Sequence, residues 1–382
     1  MHLANFDIDL FLRDYWQKRP LLIRCPWDRW DNVLAPDELA GLACEEDVES
    51  RLIIRGPNGL KVENGPLPEE RFADLGDAPW TLLVQAVDHH APQVAELIEP
   101  FRFIPNWRID DVMVSYATDG GGVGAHFDQY DVFLIQGLGR RRWRVGPRCD
   151  SETPLMPHDD LRLIADFQAT DEWTLEAGDI LYVAPCYAHD GVAVGDDCMT
   201  YSVGFRAPSR AELIEGWCQH QAEILTEEDR YSDPGIVVQA NPGEITAPAL
   251  DRLHAMVMNA LSDRDAFARW FGLHNSLSKY AEADWRPEEP IDQAEVEALL
   301  AQGMPLQRNP ASRFSFIRQD GAILLFADGH CFECGGELEQ LAEGLCGASV
   351  AQPGPEFAAS QAAVALIKAL IDQGSLAFED ED

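Results

Sequence analysis

No stretch of this chain approaches the roughly 18 consecutive apolar residues that a membrane-crossing helix needs, so no membrane association is expected. The opening residues, MHLANFDIDLF, lack the basic and apolar blocks of a secretory leader. Basic side chains are scarce: 29 Lys and Arg stand against 66 Asp and Glu, for a net charge of −37. Such a field repels nucleic-acid backbones and attracts basic partners, though acidity also serves solubility alone. Cysteine occurs nine times without framework spacing, which reads as reduced thiols in a cytoplasm. The glycine run at 120–124, GGGVG, is not followed by Gly-Lys-Ser/Thr and opens no helix, which excludes a phosphate loop. Its reading is close backbone approach beside a site, where a side chain would not fit.

What remains is the composition of an ordinary globular protein, 46% hydrophobic and 25% charged, with 382 residues for two or three domains. The organising stretch is Gly120–Val145, GGGVGAHFDQYDVFLIQGLGRRRWRV. Positions 126, 128, 130, 132, 134 and 136 read His, Asp, Tyr, Val, Leu, Gln, and the alternation predicts a strand with His126 and Asp128 on one face. One imidazole and one carboxylate so placed can take adjacent corners of a metal's coordination sphere. A third ligand would complete the 2-His-1-carboxylate triad of non-haem Fe(II) oxygenases. His189, in GDILYVAPCYAHDGVAV, is the candidate, because Ile180–Val183 reads as a buried strand ended by Pro185. His158 is the rival, in the loop-like PLMPHDD.

Beyond the Gly137-Leu138-Gly139 turn, a second strand puts Arg140, Arg142 and Arg144 on one face and Arg141, Trp143 and Val145 on the other. Three arginines facing solvent is the inexpensive arrangement, which turns Arg141 inward. An inward guanidinium needs a carboxylate partner. That partner is either a dicarboxylic cosubstrate beside the metal or an internal aspartate.

The flanking chain reads as follows. Phe11, Tyr15 and Trp16 form a core stripe on a short helix, and residues 36–48 form a second helix. Strands follow at Arg51–Arg55 and Trp80–Val87, with a turn at Gly56–Gly59. His89-His90 is read as a polar strand end, since adjacent strand residues point apart. Residues 199–206 alternate as a last barrel strand, and Ser209 with Glu212 matches a capping box opening an all-helical segment. That segment is too short for a generous core and is expected to pack on a second copy or on the barrel. Two hairpins turning at Asp320-Gly321 and Asp328-Gly329, with helices around them, suggest a winged helix. Residues 275–382 carry 19 acidic and 6 basic side chains, so protein contact is expected there, not DNA. Cys331 and Cys334 lack the second pair that a zinc site needs.

The chain resembles the JmjC-domain ribosomal oxygenases. The resemblance is carried by Gly120–Gly146, by FLRDYWQKRPLLIR (11–24), by APCYAHDG (184–191) and by TYSVGFRAPS (200–209). It spans essentially the whole chain and differs locally at Asp119, where a proline is expected. It implies an α+β protein: a double-stranded β-helix (cupin/JmjC) barrel over 1–207, a helical dimerisation segment over 208–275, and a winged-helix-like domain over 276–382. It also implies that His126, Asp128 and His189 bind Fe(II), and that Ser115 and Arg141 bind 2-oxoglutarate. With O2, such an enzyme would hydroxylate an arginine of a basic large-subunit ribosomal protein and act as a homodimer in the cytoplasm. The alternatives are histidine hydroxylation of another ribosomal protein, lysine demethylation, and a silent barrel acting as an acidic ribosome-assembly binding module.

Overall fold

The computed structural model describes residues 2–379 apart from Asn58, Asp77 and Ala281. Part of the turn expected at Gly56–Gly59 and the acidic end from Asp380 lie outside the described residues. The chain forms two compact units, residues up to 207 with 309–311, and 208–308 with 312–382. The expected boundary at 275/276 falls inside the second unit.

The first unit holds eleven described strands: β1 (Leu21–Ile23), β2 (Ser50–Gly56), β3 (Gly59–Asn64), β4 (Trp80–Val84), β5 (Ile109–Ala117), β6 (Asp131–Leu138), β7 (Arg140–Arg148), β8 (Asp171–Glu176), β9 (Ile180–Val183), β10 (Tyr187–Ala193) and β11 (Cys198–Phe205). Eight of them form one sheet in the order β1-β9-β6-β11-β5-β4-β2-β3, and β10-β7-β8 form a second. The larger sheet is apolar on both faces. Phe133, Ile135, Tyr182, Met199, Tyr201 and Phe205 face the helices. Val132, Leu134, Leu181 and Val183 face Trp143, Val145 and Leu175 of the smaller sheet. Period-2 alternation with both faces buried gives this layering.

Four short helices flank the sheet: α1 (Ile8–Asp14), α2 (Pro36–Leu42), α3 (Glu70–Ala73) and α4 (Pro92–Ala95). The Asp7 carboxylate caps α1 by accepting from Leu10 N at 2.9 Å. The aromatic stripe is core: Phe11 meets Tyr182 edge-on at 4.8 Å, and Trp16 stacks on it at 5.8 Å. Two elements are shorter than their patterns predict. Helix α2 stops at Leu42 because the Ala43 carbonyl is taken by Leu67 N and Ser50 Oγ. Strand β4 stops at Val84, and Val87–His89 make a single 3₁₀ turn in which His89 is buried.

Where α1 meets the barrel, Asp131 is fully buried. It accepts from Tyr182 Oη (2.6 Å) and Gln17 Nε2 (3.0 Å) and pairs with Arg108 Nη2 (3.1 Å). Burial nevertheless pushes its carboxyl above the usual range, against the pull of those donors.

The second unit opens with α5 (Arg210–Ile224), α6 (Ala247–Leu261) and α7 (Arg264–Asn275), followed by α8 (Gln293–Ala301), α9 (Glu337–Gly347) and α10 (Gln361–Asp372). The capping box on α5 forms: Glu212 N donates to Ser209 Oγ, and Ser209 N to Glu212 Oε2. Strands β12 (Leu306–Arg308), β13 (Phe314–Gln319), β14 (Ala322–Ala327), β15 (His330–Cys334), β16 (Val350–Ala351) and β17 (Leu376–Phe378) make two three-stranded sheets. Both Asp-Gly turns have positive φ at each residue, as tight hairpins require. Helix α7 lies so close to β14 that a Cβ on Gly272 would sit 2.3 Å from the Phe326 ring. Cys331 and Cys334 are three apart on β15 and point to opposite faces, so they cannot share an ion.

Replacing Asp131 by alanine would take the carboxylate partner from the Arg108 guanidinium, whose side chain is 12% exposed and which, among the described residues, would keep only its hydrogen bond to the Arg206 carbonyl. A loss on the order of 3–5 kcal/mol is expected, read as a lower melting temperature. An unchanged melting temperature would show the pair to be dispensable.

Candidate metal centre

The two histidines meet because the chain after β5 returns along β10. His126 N donates to His189 O (3.0 Å) and His189 N to His126 O (2.9 Å), an isolated antiparallel bridge. The predicted strand through 126–130 does not form, and β6 begins only at Asp131. The physical reason is a competing partner: His126 pairs with β10, and Cys186 N donates to Asp128 O at 2.6 Å. The segment is held extended by β10, not by its own sheet. A Cβ on Gly122 would lie 2.4 Å from Gly191 O, which is why glycine lines this crossing.

The result is a cluster of His126, Asp128 and His189 with ligand atoms all within 4.8 Å of one another. Asp128 Oδ2 lies 3.8 Å from His126 Nε2 and 3.5 Å from His189 Nε2. Each ring's Nδ1 faces a carbonyl at 2.9 Å, Gly124 O for His126 and Tyr187 O for His189. A carbonyl can only accept, so Nδ1 carries the proton and the Nε2 lone pair is left free for an ion. His189 is 2% exposed and packs against Trp143 with ring centroids 5.9 Å apart. Burial, and then the neighbouring His126, hold its pKa down to about 4, so it is neutral and able to ligate at pH 7. Two imidazoles and one carboxylate fit a six-coordinate Fe(II) with open positions. No other such cluster of metal-ligating side chains occurs among the described residues.

His158 is elsewhere, its Nε2 facing Leu60 O at 3.0 Å and its Nδ1 accepting from Asp160 and Leu161. His89 and His90 are likewise not in the cluster.

Arg141 turns inward as expected and is 4% exposed. It does not make the internal aspartate pair. Its Nε donates to Cys198 Sγ at 3.4 Å, and its Nη2 is buried without a partner among the described residues. Of the outward arginines, Arg140 and Arg142 are exposed, while Arg144 pairs with Asp190 beside His189 and lies over the Phe167 ring. Ser115 is 2% exposed on β5, opposite Thr200, where its Oγ reaches only the Thr200 carbonyl at 3.5 Å. A buried guanidinium with an orphaned nitrogen and a nearly idle buried hydroxyl fit the distal carboxylate of a dicarboxylic ligand. Cys198, Gln136 and Thr200 complete this wall. Gln136 was visible in the alternation, but nothing in the sequence singles out Cys198.

A barrel of this topology with two histidines and a carboxylate in its mouth defines a JmjC oxygenase domain. The model of the JmjC domain matches residues 96–213, and that of the ROXA-like winged helix matches 259–378. Ribosomal protein uL16 3-hydroxylase of Escherichia coli is 41% identical over 310 residues, covering 81% of this chain and 82% of that protein. The X-ray structure of E. coli YcfD superposes with a TM-score of 0.90 at 35% identity, over 99% of this chain and 100% of the other. The structure of YcfD, a ribosomal oxygenase, in complex with cobalt and 2-oxoglutarate gives a TM-score of 0.88 at 34% identity, over the whole of both chains. The chain belongs to the JmjC-domain ribosomal oxygenases. These enzymes use Fe(II), 2-oxoglutarate and O2.

The depressed pKa of His189 makes stability depend on pH. In the unfolded chain the imidazole takes a proton below about 6.5, while in the fold it resists until about 4. The unfolded state therefore binds more protons in that window, and stability is full above it and lost as pH falls through it. Metal-stripped protein should melt progressively lower from pH 6.5 towards 4, and His189→Asn should flatten part of that slope. Identical slopes in the two proteins would assign the effect to another group.

Proposed function

We propose that this protein is an Fe(II)- and 2-oxoglutarate-dependent hydroxylase of an arginine side chain in a large-subunit ribosomal protein. The observation that carries the proposal is the coincidence, in one barrel, of the three-ligand cluster and the orphaned Arg141. In this reading His126, Asp128 and His189 hold Fe(II), and Arg141 with Ser115 holds the far carboxylate of 2-oxoglutarate. The bound pair would supply oxygen chemistry, in which 2-oxoglutarate loses CO2 and takes one oxygen atom of O2 to become succinate while the other oxygen atom goes into a C–H bond. The chain's own work is orientation. The Gly124 and Tyr187 carbonyls fix the histidine tautomers, and Trp143 keeps one side of His189 dry. No acid or base need touch an unactivated carbon, so specificity rests on shape and charge.

Charge favours arginine. Asp119 is exposed on the segment leading into His126, with Oδ1 accepting from Gly195 N at 2.7 Å. Asp196 and Asp197 gather beside it, through Asp119 N and Tyr116 Oη respectively. A guanidinium suits this acidic rim better than a neutral imidazole does. The E. coli relative named ribosomal protein uL16 3-hydroxylase supports uL16 as the substrate. The net charge of −37 suits a basic protein partner and disfavours nucleic acid.

The helical segment over 208–275 is assigned to dimerisation and the region from 276 to protein contact, with residues 1–207 catalytic. No residue of α6 is buried, and Leu250, Leu253 and Val257 are 43–58% exposed along it. Such a face calls for a partner, and a second copy is the simplest.

The deciding experiment is anaerobic reconstitution with Fe(II), followed by air, 2-oxoglutarate and ribosomal-protein peptides. An arginine peptide should gain the mass of one oxygen atom, and His126→Ala should abolish the gain. Asp119→Ala should raise that peptide's KM about tenfold with kcat held. Gain on a histidine peptide instead would redirect the substrate assignment, and absence of succinate would favour a silent binding module. For assembly, sedimentation should give a dimer that Leu253→Glu with Val257→Glu converts to monomers. A wild-type monomer would end the dimer assignment.

A further inference from the structure

The acceptor chosen for Arg141 is chemically unusual. A buried guanidinium is ordinarily matched by a carboxylate, which would neutralise it and occupy its fork. Among the described residues its polar partner is instead the thiol of Cys198, at 3.4 Å from Nε. Cys198 is fully buried as the first residue of β11. Gln136 Nε2 lies 3.5 Å from the sulfur, but its two protons go to the nearer Leu138 O (2.7 Å) and Met199 O (3.1 Å), which leaves the sulfur to Arg141. The surroundings are small: Cys198 packs with Ala117, its cross-strand partner, and with Ala193, the partner of Arg141. The aromatic neighbour, Trp143, has its ring centroid 5.8 Å from the guanidinium carbon.

A neutral sulfur is a weak acceptor. It directs Nε without cancelling the positive charge, and it leaves Nη2 uncommitted. An aspartate there would consume the group that the ligand needs. An alanine would leave the fork free to swing in the space between small side chains.

We propose that Cys198 is a positioning residue that holds the Arg141 fork at one fixed distance from the metal cluster, and so selects the chain length of the 2-oxo dicarboxylate. This rests on the reading of Arg141 as the carboxylate anchor. A fixed fork matches one spacing between the chelating end and the far carboxylate. A homologue one methylene longer must either displace the fork or buckle.

The test is equilibrium binding to full-length, manganese(II)-loaded protein by calorimetry, comparing 2-oxoglutarate with 2-oxoadipate. Wild-type protein should strongly prefer 2-oxoglutarate. Cys198→Ala should weaken 2-oxoglutarate about three- to tenfold, the scale of one modest hydrogen bond. It should also narrow the gap to 2-oxoadipate, a change that mere loss of packing would not produce. Cys198→Ser, which keeps an acceptor, should restore most of the discrimination. Cys198→Asp should capture the guanidinium and abolish binding of both acids while melting no lower than Cys198→Ala. Unchanged affinity and unchanged chain-length preference in Cys198→Ala would overturn the proposal. Failure of the underlying reading looks different: Arg141→Met would then bind 2-oxoglutarate as wild type does, and the positioning role would fall with it.

Discussion

The pair of backbone hydrogen bonds between His126 and His189 is the constraint on which the site depends. It joins the segment after β5 to β10, and in one step sets two imidazoles with ring centroids 4.3 Å apart. Asp128 follows because its own carbonyl is held by Cys186 N, from the turn that leads into β10. Three side chains from two distant stretches are thus positioned by main-chain bonds. Preorganisation of this kind removes a reorganisation cost from ligand binding.

The barrel's interior divides its labour. One cluster is apolar, built from Val132, Leu134, Trp143, Val145 and Leu175. The other carries Ser115, Gln136, Thr200 and Arg141, all nearly or fully buried. Buried polar groups in a core are ordinarily satisfied by one another. Here Gln136 is well partnered, whereas Arg141 keeps a nitrogen in reserve. A fold that left such a group idle for stability alone would lose free energy by it, so the orphan is best understood through what binds. The second unit follows a different logic. Its core, around Leu325, Leu345, Val364 and Ile367, is closed, while α6 is exposed along its length.

Much of this was legible in the chain. The alternation at 132–136 and 199–205, the buried run Ile180–Val183, the two Asp-Gly hairpins and the Ser209–Glu212 cap each rest on local rules of period and turn chemistry, and each element formed. The inward turn of Arg141 was also readable, because burying one charge among four arginines is resolved by strand parity. Elements failed where a non-local partner took the backbone. Residues 126–130 alternate like a strand yet are extended on β10, and α2 ends early because Ser50 of β2 and Leu67, beyond β3, take the Ala43 carbonyl.

The sequence by itself determined which candidate ligand types are present, the parity that turns Arg141 inward and the periodicity that builds the sheets, since each depends only on residue chemistry and near neighbours. The tertiary structure alone decided that His189 and not His158 joins His126, that the Arg141 charge meets a thiol and no aspartate, and that a burial-depressed imidazole lies in the cluster. Those outcomes depend on which distant strands pair and how completely water is excluded between them. Neither quantity is carried by any local stretch of chain.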